Sequence, residues 1–219
     1  MRIGILGTGA IASALGGRWS RAGHHLTVAG RTAAKATDLA ARLSARAATI
    51  REAVVDADAV LLAVAWEGVA DILREAGPPA GTVLIDPTNA VEHGVGVLHT
   101  ASGESGAQRI AALAPGSHVV KAFHLFPSDQ WSNPAAPPET VAICGDDPHA
   151  LDITRMLVRD AGAEPALLGG LDRARQLEEV AGFTIALAFA GVDPCTAIPH
   201  VPIETLQALN ANQANFRPA

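Results

Sequence analysis

The chain has 219 residues, 49% of them hydrophobic and 17% charged, with a formal net charge of −6. That suffices for one well-buried core with a small appendage, and it excludes a disordered chain or a broad nucleic-acid-binding surface. Tyrosine is absent and lysine occurs only at Lys35 and Lys121, which excludes a Tyr-Lys proton relay. In chain order, apolar runs alternate with segments of helical period, the pattern of a parallel sheet covered by helices. Residues 3–6 read as the first strand, 10–22 as a helix closed by Gly23, and 26–29 as the second strand. Thr32 can cap a helix running to about Leu43, with Lys35 and Arg42 on its polar side. A short helix near 51–55 precedes a strand at 59–64 and a helix at 67–76. Pro78, Pro79 and Gly81 break the chain before a strand at 83–85, and a glycine-containing loop spans 87–103. A helix near 105–113, a strand at 118–122, a turn-rich stretch at 127–138 and a strand at 141–144 follow. The last elements are a helix at 149–161, a short strand at 165–168, a helix at 172–189 and a proline-broken tail that turns polar from Asn210. The expected fold is α/β, a Rossmann-type doubly wound sheet over residues 1–170, with 171–219 as a C-terminal helix and tail docked on the domain or on a partner subunit.

No run approaches the roughly 18 apolar residues of a membrane span. The opening MRIGILG reads as a strand, not a secretion signal, so a cytoplasmic location is expected. Cys144 and Cys195 show neither disulfide-framework nor zinc-site spacing. Charge is unevenly distributed: residues 1–37 hold Arg2, Arg18, Arg21, Arg31 and Lys35 and no acid, whereas the remainder carries 22 acidic side chains. A cationic N-terminal segment on an acidic body points to a small phosphorylated ligand, with Arg18 and Arg21 read as solvent-facing on their helix.

Gly7-Thr8-Gly9-Ala10-Ile11-Ala12 matches G-x-G-x-x-A directly after the first strand and at the start of a helix. Gly7 permits the tight turn, Gly9 lets the main chain approach a pyrophosphate, and Ala12 keeps helix and sheet close. An NAD-preferring site places a carboxylate near the tip of the second strand to accept from the ribose hydroxyls. Here the tip reads Ala29-Gly30-Arg31-Thr32 with Lys35 one turn on, and the first acid of the chain is Asp38. Two cations and a hydroxyl therefore stand where a 2′-phosphate would sit, which selects NADP(H).

Further landmarks are Leu61-Leu62-Ala63-Val64-Ala65-Trp66-Glu67, Val119-Val120-Lys121-Ala122-Phe123-His124, Val141-Ala142-Ile143-Cys144-Gly145-Asp146-Asp147 and the segment from Leu171 to Glu178. Taken with the cradle and the Gly-Arg-Thr tip, this set resembles the coenzyme F420-dependent NADP oxidoreductase family from Met1 to about Pro199. The resemblance implies a hydride exchanged between NADP(H) and a reduced or oxidised 8-hydroxy-5-deazaflavin, coenzyme F420. It implies that Thr8, Gly9, Ala10 and Ile11 line the pyrophosphate, and that Gly30, Arg31, Thr32 and Lys35 hold the adenosine phosphate. Val64, Ala65, Trp66 and Glu67 would pass beside the nicotinamide ribose, while Pro87, Thr88, Asn89, Phe123, His124 and Leu125 would face the second cofactor or substrate. A homodimer is implied as well. The chain departs from the family at Gly30, where serine is common, at Ala65, where proline is common, and in His124-Leu125-Phe126 and the long 127–138 loop.

Hydride exchange between two ring carriers asks for little beyond stacking, alignment and exclusion of water. Reduction of a small carbonyl, imine or flavin would add a need for a proton donor, for which His124 and Lys121 are the candidates; Lys121 reads rather as a solvated or paired lysine at a strand end. A protein that binds NADPH without turning it over is the third possibility. His24 and His25 read as structural, Trp66 as a wall of the cleft, and Glu67 as a helix-starting acid. An Arg31→Ala variant is expected to raise the KM for NADPH far more than that for NADH in steady-state assays; equal effects would contradict the placing of the 2′-phosphate.

Overall fold

The computed structural model describes residues 1–92, 94–133, 135, 140–200 and 202. Its sheet grows from β1 (Arg2–Leu6), along which Ile3 and Ile5 turn to one core and Leu6 to the core on the opposite face. Strands β2 (His25–Ala29) and β3 (Arg46–Ala47) lie to one side. On the other side stand β4 (Ala59–Leu62), β5 (Val83–Asp86), β6 (His118–Lys121), β7 (Thr140–Gly145) and β8 (Glu164–Gly169). The spatial order is β3-β2-β1-β4-β5-β6-β7-β8, and every pairing is parallel except that of β6 with β7. This is the expected doubly wound, mostly parallel Rossmann-type sheet. The connections run outward in opposite directions from β1 and β4, so the C-terminal ends of those two strands border the crevice where such sheets bind ligands.

Helices α1 (Ala10–Arg21), α2 (Ala33–Leu43) and α7 (Pro148–Asp160) bury their apolar stripes against one face. Helices α3 (Ile50–Val54), α4 (Val69–Ala76), α5 (Gly106–Leu113) and α8 (Ala174–Phe189) cover the other. Where the ends must hold firm, side chains cap them: Thr49 with Glu52 and Ser105 with Gln108 form reciprocal capping boxes, and Asp147 accepts from the Ala150 N–H. Helix α1, by contrast, starts at Gly9 with no side-chain cap, leaving its first N–H groups available to a ligand. The Trp19 indole is fully buried and donates to the Leu157 carbonyl at 2.9 Å, tying α1 to α7.

Several elements differ from the sequence reading. The turn-rich stretch contains a short helix, α6 (Ser128–Ser132), because Trp131 buries its ring in edge contact with Phe123 and Phe126. Arg18 is not solvent-facing: its guanidinium donates to the Trp131 and Asn133 carbonyls at 2.7 and 2.6 Å and fastens α6 onto α1. The edge strand β3 is too short to show period-2 alternation and escapes a pattern reading. Strand β4 ends at Leu62, and the helix expected from Glu67 opens as a 3-10 turn at Trp66–Gly68. Thr32 occupies the N-cap position of α2, but its hydroxyl makes no cap hydrogen bond. The tail from 203 onward lies outside the described residues. No described helix is long and apolar enough to cross a membrane.

Candidate functional site

At the C-terminal ends of β1, β2 and β4 a cavity of about 210 Å³ is lined by Gly7, Thr8, Gly9, Gly30, Arg31, Thr32, Lys35, Ala63, Val64, Ala65 and Ile72. Gly7 is required there: its φ is +133°, and a Cβ would fall 1.9 Å from the Ala63 carbonyl oxygen. A Cβ on Gly9 would meet nothing within 4 Å, so that glycine faces open space over the uncapped start of α1. At Gly30 even the first side-chain atom of a serine would press on the Thr8 methyl at 3.1 Å. No acid lines the cavity, and among the described residues neither Arg31 nor Lys35 has an ion-pair partner. The other N-terminal cations are placed elsewhere: Arg2 pairs with Asp58 at 3.0 Å, Arg18 holds α6, and Arg21 is exposed. Three lining features therefore fit a phosphorylated dinucleotide: a tight glycine turn whose main chain is open at Gly9, free helix N–H groups, and two cations, without ion-pair partners among the described residues, with the Thr32 hydroxyl.

A second cavity, of about 310 Å³, begins two residues along α1 at Ile11. Pro87 and Asn89 after β5, the run Phe123 to Ser128 after β6, and Thr184, Ile185 and Ala188 of α8 complete its lining. The expected second-substrate residues Pro87, Asn89, His124 and Leu125 thus converge, whereas Thr88 turns away into the protein. Phe126, Pro127, Ser128 and the three α8 residues are additions, and Ile11, expected at the pyrophosphate, lines this cavity and not the cradle. Phe123 holds a left-handed backbone (φ +62°), its buried ring clamped edge-on between Trp19 and Trp131 at centroid distances of 5.8 and 5.4 Å. That conformation is costly for a non-glycine residue, and it turns the following residues toward the cavity. Asn89 Nδ2 donates to the His124 carbonyl at 2.6 Å, leaving Asn89 Oδ1 buried without a partner. Neither ring nitrogen of His124 makes a hydrogen bond of good geometry. Burial, then the Lys121 cation, push the imidazole down to about 3, against a smaller upward pull from the Leu177 backbone. His124 is therefore a neutral ring with one donor and one acceptor to offer, not a stored acid.

Beneath this cavity lies a fully buried ion cluster. Lys121 Nζ sits 3.0 Å from both Asp86 Oδ2 and Glu178 Oε1 and donates to the Thr88 carbonyl, so all three of its N–H groups are used. Asp86 Oδ1 accepts from the Thr88 N–H and hydroxyl, and the Glu178 carboxylate accepts from the Gly106 and Ala107 N–H groups at the start of α5. The two carboxylates hold the ammonium above its ordinary lysine value against the opposing pull of burial, which is the largest influence and favours the neutral amine. Lys121 is thus paired as expected, but it is not solvated and offers no proton to the cavity. The signal for this cluster is strand alternation: Asp86 shares its face with Leu84 and Lys121 with Val119, both buried. Glu178 falls on the buried stripe of Ala174, Leu177 and Ala181.

Trp66 does not line either of these cavities. It borders a separate groove between α4 and α5 with Glu67, Val69, Ala70, Arg109, Ala112 and Leu113, because the 3-10 turn carries its ring over Gly106. Ala10 likewise is not among the lining residues. His24 is structural as read, paired with Asp160 at 2.9 Å.

Residues 2–90, which carry the whole cradle, match the family described as NADP oxidoreductase coenzyme F420-dependent. The match spans about two fifths of the chain. The chain is 28% identical over 211 residues to the metalloreductase STEAP3 of Rattus norvegicus, a match covering 95% of this chain and 39% of that one. The chain thus spans well under half of that relative. Among solved structures it is similar to a hypothetical protein of Sinorhizobium meliloti, with a TM-score of 0.70, 26% identity and 78% of this chain covering 85% of the other. A protein of Arthrobacter sp. FB24 provisionally named as an F420-dependent NADP-reductase shares the fold at a TM-score of 0.76 and 22% identity, over 88% and 96% of the two chains. A reductive aminase of Aspergillus terreus shares it at a TM-score of 0.64 and 23% identity, with 87% of this chain covering 62% of that one.

In the folded chain His124 takes up a proton only near pH 3, whereas a solvated histidine does so near 6.5. Between those values the unfolded chain binds more protons, so this group makes stability fall as pH drops from about 6.5 toward 3. Between pH 7 and pH 5, denaturant unfolding should show the wild type losing about 2 kcal/mol more stability than His124→Gln. An equal loss in both proteins would mean that the ring is solvated.

Proposed function

We propose that the chain exchanges a hydride between NADP(H), held at the glycine cradle, and a planar deazaflavin-type ring, coenzyme F420, held in the adjoining cavity. The observation that carries this reading is the juxtaposition of an acid-free phosphate cradle with an apolar cavity lacking a ready proton donor. Arg31 and Lys35 would grip the 2′-phosphate, with the Thr32 hydroxyl beside them, while the main chain from Gly7 to Ile11 would take the pyrophosphate. Ile11, Phe123, Leu125, Phe126 and Ile185 provide apolar walls that exclude water, and Asn89 Oδ1 with the neutral His124 can orient a ring bearing its own donor and acceptor. Aligning two rings in a dry cleft is the main demand of such a transfer, because the negative charge that the hydride brings is delocalised over the reduced ring and its balancing proton is taken from solvent, and this matches what these side chains supply.

Reduction of a carbonyl or imine fits less well, because a histidine titrating near 3 does not protonate a developing alkoxide or amine at neutral pH. The protein should consume NADPH absorbance when mixed with oxidised F420, and do so much more slowly with flavins, small ketones and cyclic imines. Binding of NADPH without loss of absorbance toward any acceptor would overturn the reading in favour of a nucleotide-binding sensor.

A further inference from the structure

We propose that Lys121 is a positioning residue for the second cavity, its buried ammonium clamping together the three chain segments that form the cavity walls. The proposal rests on the reading of that cavity as the acceptor site, and its geometry is specific. Lys121 has no exposed surface and does not line the cavity, so it can act only through its partners. Its three hydrogen-bond donors reach three separate places: Asp86 at the end of β5, the Thr88 carbonyl in the following loop, and Glu178 on α8. Each place leads directly into a wall. Pro87 lies between Asp86 and Thr88, and Asn89 follows; Thr184, Ile185 and Ala188 stand roughly two to three turns beyond Glu178 on the same helix. The third wall, Phe123 to Leu125, begins two residues after Lys121 itself and is pinned to the first by the Asn89–His124 hydrogen bond.

Removing the ammonium together with the Glu178 charge would leave α8 without a directional bond to β5 and β6, which would let α8 move off and widen the cavity; removing the ammonium alone would add repulsion between two buried carboxylates. The glycine cradle, on the far side of β4 and built from other elements, would keep its shape. A merely stabilising role would lower the melting temperature and leave the two ligands affected alike.

The test is the double variant Lys121→Met, Glu178→Gln, which removes one charge of each sign, with the full chain throughout. The Kd for NADPH, followed by fluorescence, should stay within about twofold, while the KM for the F420 acceptor rises about tenfold or more. Amide hydrogen exchange on the protein without ligands should quicken at 88–91, 122–126 and 182–188 and remain unchanged around Gly7 to Ala12. An unchanged acceptor KM, or exchange accelerated evenly across the sheet, would overturn the proposal. Should the wild type reduce no acceptor, the reading of the cavity fails, and the exchange pattern alone decides the role of Lys121. If the double variant does not fold, Asp86→Asn, which keeps the acceptor facing Thr88, is judged by the same criteria.

Discussion

One ammonium group with no access to water ties together the elements around the second cavity. Burying a cation costs several kcal/mol unless geometry and hydrogen bonding compensate, and breaking such a pair typically costs about 3–5 kcal/mol. Here Lys121 meets two carboxylates and a carbonyl, and the surplus negative charge is met by the N–H groups at the start of α5. Gly106 is part of that solution, since a Cβ there would crowd both Trp66 and the Glu178 carboxylate at 3.2 and 3.3 Å. Strands β5 and β6, helix α5 and helix α8 are thereby joined by directional bonds, where apolar contact alone would let them slide.

The same charge shapes the chemistry above it. With burial, it keeps His124 neutral, so the cavity presents hydrogen-bonding groups without a mobile proton. On the cradle side the logic is the reverse: Arg31 and Lys35 stand at the surface with no ion-pair partner among the described residues, and Thr32 leaves its hydroxyl out of the helix cap. The cation committed inside the protein joins the elements around the second cavity, while those beside the cradle, among the described residues, are left without an ion-pair partner. The aromatic clamp of Trp19, Phe123 and Trp131 complements both, because it holds the left-handed turn from which His124 projects.

The cradle was legible in the sequence because each part is local: a glycine pattern, a strand before it, a helix after it, and an acid missing at a fixed distance. The fold class was legible for the same reason, through periodicity. The lining of the second cavity was half legible. Pro87, Asn89, His124 and Leu125 follow strands at the carboxyl edge, where ligands bind, but Thr184, Ile185 and Ala188 arrive from α8 by tertiary packing that no local pattern encodes. Trp66 shows the limit of placing a residue by strand position alone, since one 3-10 turn carries it into a different groove. Arg18 shows the limit of reading a helix face as solvated when a distant segment folds over it.

That the cradle and the α8-walled cavity form one continuous site is the central claim, and nuclear Overhauser effects on the protein saturated with NADP+ test it most directly. The account predicts contacts from the nicotinamide H4 proton to the side chains of Ile11 and His124, with none to the indole of Trp66. Contacts to Trp66 in place of His124 would put the reacting carbon at the α4–α5 groove and contradict it.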